Sequence, residues 1–189
     1  MVLDDKLTAS LLHVPDYLWQ SWAVLRDDTP LQATAQMSPI VVSGTAAALI
    51  AGYLMSRTKP GYILLGSMIA FCLSNVIACV TPPDLTYWAA SFIGVSIAPF
   101  GMDCSFPAAN LAASDFMPRD KQGLGASLVN TMINYSISIG LGMGSLAESL
   151  IRRNGSILEA YRGAHYVGIG LAALGVLLSL LLLRISDRA

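Results

Sequence analysis

The distribution of apolar and polar positions divides the chain into long apolar segments separated by short polar ones. A helix that crosses a bilayer needs about 20 mainly apolar residues. Five segments reach that length, at residues 30–56, 60–80, 86–113, 120–150 and 164–183. The pattern predicts an all-α integral membrane protein whose helical bundle of about five transmembrane helices occupies residues 30–184. Residues 1–29 form an extramembrane or interfacial segment, and residues 185–189 form a short tail.

The fourth segment carries polar side chains at helical spacing. One face holds the polar stripe, which consists of Ser127, Thr131, Asn134, Ser138, Gly142 and Ser145. The opposite face holds Leu128, Met132, Tyr135, Ile139, Met143 and Leu146. Because lipid offers no hydrogen-bond partner, such a stripe must face other helices or a water-filled cavity. Asn130, Thr131 and Asn134 are candidates for lining a substrate path; interhelical hydrogen bonding, worth about 0.6 kcal/mol per contact, is the alternative.

Prolines and capping residues predict where the helices start and where they are disturbed. Thr29 suits an N-cap and Pro30 the first helical position. Pro39, about two turns further on, should kink that helix, because proline removes a backbone donor. The third segment contains both Pro99 and Pro107 and should be bent or broken.

Asp103 lies midway between the two prolines of the third segment. An aspartate at a helix centre costs roughly 2.5 to 3.5 kcal/mol on insertion scales, so it should face a cavity, pair with a partner or be protonated. A carboxyl group there could bind and release a coupling proton. The alternative is that Asp103 caps a half-helix before Pro107 by accepting freed backbone N–H groups.

Small residues recur at positions that favour close helix packing in lipid. The candidate packing positions are Gly44, Ala48 and Gly52 in the first segment, Gly140 and Gly144 in the fourth, and Gly168, Ala172 and Gly175 in the fifth. We interpret these residues as helix-packing positions rather than as catalytic or binding residues.

Composition narrows the function classes. Apolar residues make up 54% of the chain and charged residues 12%, with a net charge of −1, which excludes an ordinary soluble domain and gives no basic patch for nucleic acid. Cys72, Cys79 and Cys104 lie in apolar runs and suit buried hydrophobic positions. With His13 and His165 outside any carboxylate cluster or nucleophile motif, an intramembrane enzyme is the weakest hypothesis, and no catalytic residue, metal or cofactor is predicted.

Aromatic and basic residues mark the membrane interfaces. Tyr17, Trp19 and Trp22 predict an interfacial helix, or the remnant of a spanning helix, over residues 15–26. The Lys and Arg residues divide six against five between the two sides of the predicted topology, and this difference is too small to set the orientation.

An ordered series of short stretches carries a family resemblance. The stretches are Thr29-Pro30-Leu31-Gln32-Ala33, Ser38-Pro39, residues 52–57, Tyr87-Trp88, residues 100–103, Phe106-Pro107-Ala108, Gln122-Gly123, residues 127–130 and residues 134–140. Together they resemble the C-terminal half of the major facilitator superfamily, specifically the fungal drug:proton antiporter-like members with fourteen spans. The resemblance covers roughly residues 15–185.

The resemblance implies a partial C-terminal six-helix bundle that contains the last five spans and lacks the N-terminal bundle. It implies that the loop of Arg57, the loop of Pro118 and the C-terminus lie in the cytosol, and that residues 151–163 lie outside. Asn154, in an Asn-Gly-Ser sequon, would then be open to glycosylation. Arg57 matches the family's cytosolic loop motif, although the acidic residue of that motif is absent here.

The resemblance further implies transmembrane transport of a small organic solute or drug, driven by protons, at the plasma membrane. The chain would be incomplete on its own, since this transport rocks one bundle against another. Its expected partners are the lipid bilayer, the solute, and a missing N-terminal bundle or partner chain. The alternative is a non-transporting membrane protein that associates with a full transporter and modulates it.

Overall fold

The computed structural model describes residues 29–82, 85, 87–115, 117–153 and 155–186. These residues form the helices α1 (Pro30–Met37), α2 (Pro39–Met55), α3 (Pro60–Val80), α4 (Ser91–Asp115), α5 (Gln122–Arg152) and α6 (Ile157–Ser186), with one 3₁₀ turn at Arg119–Lys121. No strand occurs in this part of the chain, and the protein is all-α. The predicted interfacial helix over 15–26 and the candidate glycosylation site Asn154 lie outside the described residues.

Four helical segments are long and apolar enough to cross a membrane: Pro30–Met55, which joins α1 and α2, Pro60–Val80, Ser91–Ser114 and Ile157–Leu181. α5 has 31 residues, about 46 Å at 1.5 Å per residue, and is long enough to span. It is not among the four segments, because its polar stripe lowers its hydropathy. The fifth transmembrane helix therefore stays a prediction.

The first helix begins and is interrupted where the sequence predicts. Thr29 caps α1 in a reciprocal capping box with Gln32. Pro39 separates α1 from α2. Because Pro39 has no N–H to donate to the carbonyl of Ala35, that carbonyl accepts from the N–H of Ser38 at 3.1 Å. The kink predicted at Pro39 is confirmed as a break between two helices.

α6 begins at Ile157, ahead of the predicted span. The Glu159 carboxylate accepts from the Ser156 N–H at 2.9 Å, and the Glu159 N–H donates to the Ser156 hydroxyl at 3.2 Å. This second capping box gives the backbone N–H groups of Ser156 and Glu159 an acceptor each. The helix can therefore begin before its apolar part.

α4 runs unbroken through both of its prolines. The sequence predicts a bent or broken helix, and the continuous helix rules out the break. The capping role considered for Asp103 falls with it, because no half-helix ends near that residue. α4 packs against α2, α3 and α5, and this contact on several sides holds a proline-containing helix together in spite of the missing backbone hydrogen bonds.

The long helices form a ring in which α3, α4, α5 and α6 each contact two neighbours. α2 packs on the outside of this ring, against α4. A small core is formed by Ala47 and Ala51 of α2, Cys104 and Ala108 of α4, and Ile63 of α3. The Cys104 thiol lies 3.6 Å from the Ala47 carbonyl, to which it donates. Cys79 and Cys104 are buried and Cys72 is half-buried, all without a disulfide.

Candidate functional site

The polar stripe of α5 is exposed. Asn130, Thr131 and Asn134 face no helix of the described chain. The opposite apolar face is exposed as well, with Leu128 at 50% and Tyr135 at 65% of full exposure. α5 therefore meets α4 and α6 through a third face between the two, and interhelical packing within the described residues does not account for the stripe.

The side chains of the stripe hydrogen-bond to their own helix. The Thr131 hydroxyl donates to the Ser127 carbonyl at 2.9 Å, and the Asn134 amide donates to the Asn130 carbonyl at 2.8 Å. Ser138 repeats this pattern with the Asn134 carbonyl at 2.9 Å. These bonds engage the hydroxyl protons of Thr131 and Ser138 and one N–H of Asn134, while the side-chain oxygens remain open to accept from a solute or water.

Asp103 projects from α4 toward α2. A β-carbon added to Gly44 would lie 3.3 Å from the Asp103 Oδ2 atom and 3.8 Å from Pro99. Asp103 is half-buried, and the structure gives its carboxylate no hydrogen bond or ion pair within the described residues. The carboxylate is therefore free to meet a partner from outside the described residues.

The small residues of α2 divide into two surfaces. Gly44, Ala47 and Ala51 face α4. Ala48 is exposed, and a β-carbon on Gly52 would meet no atom within 4 Å. Of the predicted packing positions Gly44, Ala48 and Gly52, only Gly44 contacts another helix within the described chain. The face of α2 toward α4 follows the alternating spacing of three and four residues, whereas the predicted positions are all four apart.

The other small residues lie at helix contacts. β-Carbons on Gly140 and Gly144 would lie 3.9 Å from Leu171 and Ala164, so these glycines bring α5 close to α6. On the other side of α6, Gly175 lies against Met68 of α3, and Ala172 is buried. Both pairs of helices approach through residues with little or no side chain.

A buried polar contact joins α3 to α6. Asn75 and His165 are 8% and 6% exposed, and Asn75 Oδ1 lies 3.3 Å from His165 Nδ1. The Asn75 amide nitrogen donates to the Phe71 carbonyl at 3.0 Å, which turns Oδ1 toward the imidazole. Gly168 makes room for it, since a β-carbon there would lie 2.7 Å from Oδ1.

A second polar contact joins α3 to α4. The buried Ser74 hydroxyl donates to the Gly94 carbonyl at 3.0 Å. Ser74 and Asn75 thus bind two different helices from consecutive positions of α3. Sequence reasoning missed both contacts; the only signal was two adjacent polar residues in an otherwise apolar segment.

The cytosolic-loop candidate Arg57 follows α2 and is exposed. Its guanidinium lies 5.1 Å from the ring centre of Tyr53, a cation–π contact. No acidic partner is found for it in the described part of the chain. In the same residues no three His, Cys, Asp or Glu side chains are placed to hold a metal ion.

The helices define a polytopic membrane protein, and comparison with known proteins gives its family. Residues 29–189 match the Major Facilitator Superfamily. The chain is 48% identical to an uncharacterised MFS-type transporter of Schizosaccharomyces pombe, over 87% of this chain and 32% of the relative. The chain belongs to the Major Facilitator Superfamily and is an integral membrane protein.

Two further fungal relatives carry functional names. The low affinity ammonium transporter of Saccharomyces cerevisiae is 46% identical over 85% of this chain and 31% of the relative. Efflux pump terJ of Aspergillus terreus is 39% identical over 87% of this chain and 32% of the relative. The chain thus spans about a third of the length of these relatives. No solved structure matches it.

Proposed function

We propose that this chain supplies the C-terminal portion of a transporter that moves a small organic solute across the plasma membrane. The exposed polar stripe of α5 carries the proposal. In a bilayer this face is costly unless water, solute or protein covers it, and the other helices of the described chain do not. Relatives named as an ammonium transporter and an efflux pump support solute transport.

In this proposal the stripe lines one wall of a solute path. Thr131 and Asn134 offer side-chain oxygens to the solute, since each already donates to a carbonyl of α5. Asn130 adds a further exposed amide beside them. The opposite wall comes from a second bundle outside this chain, as alternating access between two bundles requires. The bilayer and that bundle are its structural partners.

Asp103 is the proposed proton site. A proton site here would agree with the resemblance of the chain to the drug:proton antiporter-like group. Its carboxyl group lies at the α2–α4 contact without a hydrogen bond or ion pair in the described residues. Protonation would remove the cost of holding the charge in hydrocarbon, so binding and release of the proton can be linked to movement of α4 against α2.

A chimera tests this function. The chain would replace the matching C-terminal third of the S. cerevisiae ammonium transporter, and uptake of radiolabelled methylammonium would be measured in cells lacking that transporter. We expect uptake by the chimera. Asp103→Asn should abolish stimulation by an imposed proton gradient, and Asn134→Ala should lower uptake at all gradients.

Asn110→Ala is the matched control. The Asn110 amide donates to the Phe106 carbonyl at 3.1 Å, the same bond within one helix that Asn134 makes, but from α4. Its loss should leave uptake unchanged. Uptake by an Asp103→Asn chimera that still follows the gradient would refute proton coupling through this residue.

The alternative is a non-transporting protein that modulates a full transporter. It is favoured by the exposed apolar and polar faces of α5, which would suit docking on a larger membrane protein. Co-expression of the chain with the intact yeast relative separates the two: altered uptake by the intact transporter, together with an inactive chimera, would support modulation.

A further inference from the structure

A groove opens on the outside of the bundle, where α3 ends and α6 begins. It encloses about 390 Å³, within the range of small-molecule sites in proteins, about 300 to 1,000 Å³. Its lining residues are Val76, Cys79, Val80, Arg162, Tyr166 and Ile169. All of these except Arg162 and the phenol of Tyr166 are apolar, so the groove suits a hydrocarbon chain with a polar group at one end.

Arg162 supplies the charge in this groove. Its Nε atom is shielded from solvent, and no hydrogen-bond acceptor among the described residues reaches it. Nearby acidic side chains are engaged elsewhere: Glu159 binds the Ser156 N–H, and Glu148 lies 3.7 Å from Arg152. The described residues therefore do not neutralise this guanidinium, and where it borders the groove a phosphate oxygen is an acceptor that fits its planar geometry.

The depth of the groove matches the membrane interface. Val80 is the last residue of α3, and Arg162 lies in the second turn of α6. From there, Val76 and Ile169 extend away from the helix ends toward the hydrophobic part of the two helices. Tyr166 is an amphipathic residue of the kind that sits at headgroup level.

We propose that this groove binds one phospholipid, with its phosphate on Arg162 and the start of an acyl chain between Val76 and Ile169. The charge complements the phosphate, and the apolar lining complements the chain. The site lies on the contact of α3 with α6 and is separate from the polar stripe of α5. It therefore stands whether or not the chain belongs to a transporter.

Native mass spectrometry of the purified chain tests the site. Detergent-solubilised protein would be incubated with dioleoyl phosphatidylglycerol or with dioleoylglycerol, which has the same chains and no phosphate. We expect one retained phosphatidylglycerol and no retained dioleoylglycerol. Arg162→Gln should weaken retention about tenfold, as expected for loss of one charged hydrogen-bond partner.

Two further variants and a competitor make the test specific. Arg153→Gln removes an exposed arginine outside the groove and should retain the lipid as the unaltered chain does. Val76→Trp fills the groove and should lower retention of phosphatidylglycerol while Arg162 is intact. This variant tests the site if Arg162→Gln does not fold. Glycerol 3-phosphate should not displace the lipid. Equal retention by Arg162→Gln and the unaltered chain, or equal retention of dioleoylglycerol, would overturn the proposal.

Discussion

Gly168 illustrates how a missing side chain on one helix admits a polar group from another. The Asn75 amide occupies the space beside Gly168 and reaches His165 across the contact of α3 with α6. A buried amide without a partner would cost about 1 to 3 kcal/mol. The glycine therefore permits both the close approach of the helices and the polar contact between them.

Gly168→Ala should destabilise the chain. Its β-carbon would lie 2.7 Å from Asn75 Oδ1, and the required shift should cost about 1 to 3 kcal/mol, as overpacking does elsewhere. Thermal unfolding in detergent measures the effect. Gly170→Ala, two residues along α6 with no atom within 4 Å of the added carbon, is the control and should be neutral or slightly stabilising. Equal stability of the two variants would contradict the role of Gly168.

Gly44 has a similar relation to Asp103. We expect Gly44→Ala to lower stability by about 1 kcal/mol, since the Asp103 carboxylate must move by a few tenths of an ångström. Gly52→Ala, on the open side of α2, should have no such effect. Combining Gly44→Ala with Asp103→Ala provides the decisive measurement: the double variant should lose less than the sum of the singles, because the crowded carboxylate is gone. Strict additivity would show that the two residues do not interact.

At the scale of the helices, local sequence rules succeeded where the cause is local. The capping pattern at Thr29 and the missing donor at Pro39 each act within a few residues, and the structure confirms both. Pro99 and Pro107 obey the same rule in isolation, yet α4 is continuous. Contacts from α2, α3 and α5 compensate there, and the sequence around a proline contains no information about them.

The candidate site shows the same limit. Helical spacing alone predicted the polar stripe of α5, because every member lies on one helix. The contact of Asn75 with His165 joins residues 90 positions apart, so no local pattern could indicate it. The role of Ala47 and Ala51, rather than Ala48, in the contact with α4 also depends on how α2 is rotated.

Thiol labelling would show whether the stripe of α5 faces water. In a chimeric transporter whose native cysteines are replaced by serine, a cysteine at Asn134 should react with a membrane-impermeant maleimide. A cysteine at Tyr135, the next position and on the apolar face, should be protected by lipid. Substrate should slow labelling at Asn134 only. Labelling of Tyr135 at the same rate would refute a division of α5 into water-facing and lipid-facing sides.

At the scale of the whole molecule, the arrangement is one-sided. α2 packs on α4 outside the ring of the other four long helices, α5 is a member of that ring, and both helices leave long faces exposed. The chain matches about a third of the length of its relatives. These observations are what we expect if, as proposed, a second bundle outside this chain completes the transporter.

The chain alone should therefore not transport. Proteoliposomes containing only the purified 189-residue chain should take up no more labelled methylammonium than empty liposomes, with or without a proton gradient, because one bundle cannot alternate access. The chimera, reconstituted in parallel, should show uptake above that background and serves as the positive control. Gradient-driven uptake by the isolated chain would contradict the need for a second bundle.

The weak hydropathy of α5 also bears on biosynthesis. The translocon partitions helices into lipid by their apolar character, and α5 falls outside the four segments that qualify. α6 qualifies and packs along α5 through Gly140 and Gly144. Because α5 is synthesised before α6, we expect α5 to enter the bilayer together with α6, through the contact that the two helices share.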